Sequence, residues 1–175
     1  MDYRRTLDNE NSKLIWNKII FDVGSDENKF SAVMEIFLSN DQKLIQRISQ
    51  VIGVIGEKQP QLLSPYIPKL INHLSLNPIN AFKRNVLRAF QYTSIPNKVD
   101  GKLFDITLTF LKSNHEAIAV RVFSMTILRQ ICEKHPELSA EVGSTIEMIL
   151  EENKSGGIQS RGKKELKKLK NLTTK

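Results

Sequence analysis

Asn77-Pro78-Ile79-Asn80-Ala81-Phe82-Lys83-Arg84 stands midway between two copies of itself. Asn40-Asp41-Gln42-Lys43-Leu44-Ile45-Gln46-Arg47 lies 37 residues earlier, and Asn114-His115-Glu116-Ala117-Ile118-Ala119-Val120-Arg121 lies 37 residues later. Each copy opens at Asn and carries an Arg seven residues on. A weaker fourth copy has Asn153 and Arg161, 39 and 40 residues beyond their counterparts. An apolar stretch precedes each turn and a second one, carrying the Arg, follows it. Repeats of this length are supersecondary units that cannot bury an apolar face alone and must stack to do so.

The apolar residues recur at helical spacing on both sides of every turn. In the first unit Phe30, Val33, Met34, Phe37 and Leu38 precede the turn, and Leu44, Ile45, Ile48, Val51, Ile52 and Ile55 follow it. The second runs through Leu62, Leu63, Ile67, Leu70, Ile71 and Leu74 to Phe82, Val86, Leu87, Ala89 and Phe90. The third has Leu103, Phe104, Leu108 and Leu111, then Ile118, Val122, Phe123, Ile127, Leu128 and Ile131. The fourth has Leu138, Val142, Ile146, Ile149 and Leu150, then a thinner Ile158, Leu166 and Leu169. No stretch alternates at the period of a strand. Pro60, Pro96 and Pro136 fall after successive second helices, where a residue without an N–H re-aims the chain. The reading is one all-α domain over 1–175: a capping helix in 1–25, which carries Trp16, then pairs at 27–60, 61–97, 98–136 and 137–172.

Composition narrows the function. At 175 residues, 40% of them hydrophobic, the chain is long enough to bury a core. Without an apolar run of membrane-spanning length or a secretory signal at Met1-Asp2-Tyr3-Arg4-Arg5, it reads as cytoplasmic, not inserted in a membrane, and monomeric. A single cysteine, Cys132, excludes an intramolecular disulfide and any multi-thiolate metal site within the chain. The net charge of +7 belongs to one end: residues 1–153 balance 18 basic against 18 acidic residues, whereas 154–175 hold eight basic residues and the single acid Glu165.

Leu62-Leu63-Ser64-Pro65-Tyr66-Ile67-Pro68-Lys69-Leu70, with Asn77-Pro78 and Lys83-Arg84 after it, resembles a HEAT repeat, as does Ser113-Asn114-His115-Glu116-Ala117-Ile118-Ala119-Val120-Arg121. The resemblance covers roughly 27–152 and weakens towards 170. It implies a right-handed α-α superhelix of about four helical pairs whose second helices line a concave, partner-facing surface, and an intramolecular role for the repeated Arg. Repeat arrays of this kind offer an extended binding surface, so the function expected is a non-catalytic protein-interaction scaffold without a cofactor. Nucleic-acid binding, through a basic groove or the basic end, is the alternative. Trp16, the sole Trp, lies at the amino-terminal end, which argues against the alkylation-repair glycosylases of similar architecture.

Two sets of residues carry those alternatives. Lys43, Gln46, Arg47, Gln50, Lys83, Arg84, Arg88, Gln91 and Arg121 occupy the second helices, with Arg129 further along the third, and form the candidate partner surface. The Arg row either contacts an acidic ligand, since guanidinium groups bind planar anions bidentately, or buries its stems and bonds its own repeats together. Arg161, Lys163, Lys164, Lys167, Lys168 and Lys170 form a candidate anion-binding tail, expected to follow a Gly-softened turn at Ser155-Gly156-Gly157 and to be separable from the fold. The run Gly157 to Lys164 nearly spells a phosphate-binding loop, but Lys164 stands where a hydroxyl should reach the metal, and a helix precedes it instead of a strand. Cys132 and His135 have the spacing of a thiolate–imidazole pair, although Cys132 sits in the apolar row of Leu128 and Ile131. His73 and His115 have no second ligand at metal-binding spacing, and no metal is expected.

Overall fold

The computed structural model describes residues 1–173 and divides the chain into two compact units, Met1–Ile95 and Pro96–Lys175. Among the described residues the regular structure is wholly helical: α1 Tyr3–Asn9, α2 Lys13–Val23, α3 Glu27–Phe37, α4 Gln42–Lys58, α5 Ile67–Leu74, α6 Asn80–Phe90, α7 Asp100–Lys112, α8 Ile118–Lys134, α9 Ser139–Glu152 and α10 Gly156–Thr173.

In the first unit α4 is the central element, with α1, α2, α3 and α6 packed against it. It can be central because it carries glycine where neighbours come closest. A Cβ on Gly56 would lie 3.0 Å from the Ala89 Cα, and one on Gly53 would run into the Asn85 side chain, so α4 and α6 meet almost backbone to backbone. Rings join α3 to its neighbours: Phe37 of α3 stacks on Phe82 of α6 with centroids 4.5 Å apart, and Phe30 meets Tyr66 edge to face. Each of the buried Phe side chains contributes about 1.5–3 kcal/mol through the water it no longer faces.

Where the sequence suggests a single capping helix, the structure has two. Asp2 caps α1 by accepting from the Arg5 N–H, and Ser12 caps α2 by accepting from the Ile15 N–H, so the polar run Asn9 to Ser12 is a joint. Tyr3 donates to Asp22 at 2.6 Å and ties α1 to α2, while Lys29 approaches the same carboxylate at 3.2 Å. These two donors, Tyr3 first, hold the Asp22 carboxyl below its usual range. Leu14 is exposed, and Ile15, Ile19 and Val23 are the residues of α2 that turn inward.

The turns do not all cap alike. Asp41, not Asn40, caps α4 through the Leu44 N–H at 3.1 Å. Asn77 and Asn153 accept from the N–H two residues ahead, Ile79 and Ser155, and so shape the turn one step before the helix. At the third turn Ser113 does this work for His115.

In the second unit α8 is central, packed by α7 and α10, with α9 against α10. Val120, Met125, Leu128 and Cys132 of α8 are fully buried, with Leu103 and Leu111 of α7, Val142 and Ile146 of α9 and Ile158 of α10. Leu108, expected in this apolar row, is only half-buried. The basic end is a full helix that starts at Gly156, so the glycines open the helix and do not form a turn before it. Gly162 lets it approach α9, since a Cβ there would fall 2.8 Å from a Leu150 methyl. With Ile158, Glu165, Leu166 and Leu169 turned inward, the tail is part of the core layer.

Candidate functional site

Helices leave their last carbonyls without intrahelical partners, and the repeated Arg finds its work there. In α4, Arg47 donates from Nη1 to the Leu7 and Asp8 carbonyls at the end of α1. In α8, Arg121 is 3% exposed and donates from Nε to the Leu111 carbonyl at the end of α7, 3.0 Å away. Burial pulls its guanidinium below the usual pKa range. The fourth unit keeps the job but changes the residue. Gln159, fourth residue of α10 as Arg121 is of α8, donates to the Leu150 and Asn153 carbonyls at 2.7 and 2.8 Å. Arg161, the fourth-copy Arg by spacing, turns instead to the Thr126 hydroxyl.

Arg84 breaks the row. Lys83, the residue before it in α6, has partners within the chain, while Arg84 itself faces solvent. It makes no hydrogen bond or ion pair among the described residues. Around it the solvent side of the α4–α6 seam is a mixed polar strip. Gln46 is exposed, Gln50 and Gln91 are half-buried, and Arg88 pairs through its guanidinium with Glu57 of α4. Lys43 is spoken for by Asp8 at 3.0 Å. Of the nine residues in the candidate partner surface, Arg47 and Arg121 are thus structural; the former is half-buried and the latter lies in the second unit. Glu57 escaped the sequence reading because it lies 31 residues from its partner, Arg88.

Arg129, expected on the candidate partner surface, is buried. Its Nε donates to Glu165 at 3.0 Å, and it also pairs with Glu133 one turn along. Thr126 donates to the same Glu165 carboxylate at 3.1 Å, with Lys168 at 3.9 Å. The tail's one acid, 1% exposed, is therefore consumed inside the fold. Lys170 pairs with Glu147 at 3.4 Å, whereas Lys163, Lys164 and Lys167 are exposed with no bond or ion pair among the described residues.

The candidate chemical groups are occupied in other ways. Burial pushes the Cys132 thiol up, away from the thiolate a nucleophile needs. His135 turns to the Asp100 carboxylate, which also binds Lys134, and to Glu137. Gly157 to Lys164 lie within α10 and form no loop. Among the described residues no three His, Cys, Asp or Glu side chains gather as a metal site, and no helix is long and apolar enough to cross a membrane.

Helix pairs with polar turns and a Pro at each joint repeat along the chain, and Arg47, Arg121 and Gln159 each return from a second helix to a preceding helix end. The family model of the HEAT repeat domain matches residues 3–169. The chain belongs to the HEAT-repeat family. That match takes in α1 and α2, ahead of the first unit evident in the sequence, and most of α10. Searches of curated proteins and of solved structures return no match.

Proposed function

We propose that this HEAT-repeat protein is a non-catalytic cytoplasmic scaffold that holds a protein partner on the solvent side of its α4–α6 seam. The observation that carries the reading is Arg84: the one Arg of the repeated row set free of the fold, beside Gln46, Gln50, Arg88 and Gln91. A mixed strip of this kind suits a protein surface. Arg is enriched at such interfaces, and the amides supply donors and acceptors of both kinds. Because Glu57 neutralises Arg88, the strip lacks the unbroken positive charge a phosphate backbone selects.

Site-specific photocrosslinking in the source cells tests this. A crosslinker at Gln46 should capture one protein that a crosslinker at Ala32, on the exposed side of α3, does not. Arg84→Glu should abolish that capture while leaving the melting temperature unchanged. Equal capture from both positions, or capture insensitive to Arg84→Glu, refutes the assignment.

A further inference from the structure

The lysines of α10 are not explained by the scaffold reading. From Lys163 to Asn171 every exposed residue is a lysine except the final asparagine: Lys163, Lys164, Lys167, Lys168 and Lys170. At about 100° per residue these five spread over nearly half the helix circumference, opposite the buried Ile158, Leu166 and Leu169. The helix contributes no acid to this face, because the single acid of the tail is turned inward onto Arg129, and only Lys170 at its end meets an acid of α9, Glu147. Lys163, Lys164 and Lys167 have no internal partner among the described residues. A helix that only had to end a stack in water would need polar residues of either sign and not lysines alone.

We propose that this face docks on the phosphate backbone of duplex nucleic acid, independently of base sequence, a function separate from protein binding at α4–α6. Three features select that ligand. Lysine ammonium groups are point charges that neutralise phosphates without reading bases, and the face has no aromatic side chain to stack on an unpaired base. Protein interfaces are built around an apolar centre and are depleted in lysine, whereas this face has no exposed apolar residue. An anionic membrane would be gripped by an apolar stripe inserted below the headgroups, and Ile158, Leu166 and Leu169 of α10 are committed to the core. Lys163 to Lys170 span about 10 Å of helix axis, against which a duplex presents roughly six phosphate charges.

The test uses the full chain and duplexes of about 20 base pairs in two unrelated sequences, with binding followed by fluorescence anisotropy across a salt series. The parent should bind both duplexes alike. The triple variant Lys163→Gln/Lys164→Gln/Lys167→Gln should lose at least about tenfold in affinity at low salt, with a log–log salt slope shallower by about 2 to 3, near 0.9 for each phosphate no longer neutralised. Lys13→Gln/Lys18→Gln/Lys69→Gln removes the same charge from exposed sites of the first unit and should bind like the parent. If the α10 triple lowers the melting temperature, Lys167→Gln alone decides, through a slope change of about 0.9. Absence of duplex binding by the parent, equal losses in both triples, or equal preference for polyglutamate or phosphatidylserine vesicles overturns the proposal.

Discussion

Removing the Glu165 carboxylate should unfold the second unit far more readily than any surface change in α10. Glu165 is 1% exposed and accepts from Arg129 at 3.0 Å and Thr126 at 3.1 Å. Met is nearly the same length, so Glu165→Met keeps the packing and removes the charge. It leaves Arg129, whose side chain is only 9% exposed, without its inner partner. Breaking one side of a buried pair costs about 3–5 kcal/mol. Glu133 still reaches the guanidinium from the solvent side, so the lower figure, about 3 kcal/mol, applies. For a unit of this size that is a fall of roughly 12–24 °C in melting temperature. Arg129→Met/Glu165→Met removes both charges, and the Thr126 hydroxyl keeps its bond to Arg161. The double variant should therefore recover most of the loss, as apolar replacements of whole buried pairs do. Far-UV circular dichroism follows the melt, and fluorescence of Trp16 reports the first unit alone. A Glu165→Met protein melting within about 2 °C of the parent, or a double variant no better than the single, refutes this account of the network.

Arg121→Ala should lower stability by about 1–3 kcal/mol, because the buried Leu111 carbonyl loses a charged donor, whereas Arg84→Ala should stay within about 0.5 kcal/mol of the parent; denaturant titration separates them. Gly56→Leu should destabilise the first unit by more than about 2 kcal/mol, read as a lower urea midpoint, since the added side chain must displace α6 at Ala89. Cys132 should be inert to a thiol reagent until the chain is unfolded, and prompt labelling of the native protein would contradict its burial. Burial, followed by the bond to Asp22, raises the Tyr3 pKa. Its contribution should therefore be fully present below the ordinary tyrosine pKa of 10.0 and lost as pH rises above it, and Tyr3→Phe should flatten that alkaline fall in melting temperature.

The sequence by itself determined that the chain is a helical repeat. Asn40, Asn77 and Asn114 with Arg47, Arg84 and Arg121 mark the period, and the apolar rows between them can be buried only by stacking, so fold class and family were legible before any coordinate. The division of labour within the candidate sites was not. Arg47 and Arg121 serve the fold, whereas Arg84 at the same spacing faces water, and nothing in the 37-residue period distinguishes the three. In the fourth unit the donor is Gln159, two residues before Arg161. Arg129 and Glu165, 36 residues apart, and Arg88 and Glu57, 31 apart, became partners only when packing brought different helices together. A sequence period records which residues recur; whether a recurring charge binds, braces or stands free depends on helix phase and on a neighbour many residues away, and both are properties of the packed structure.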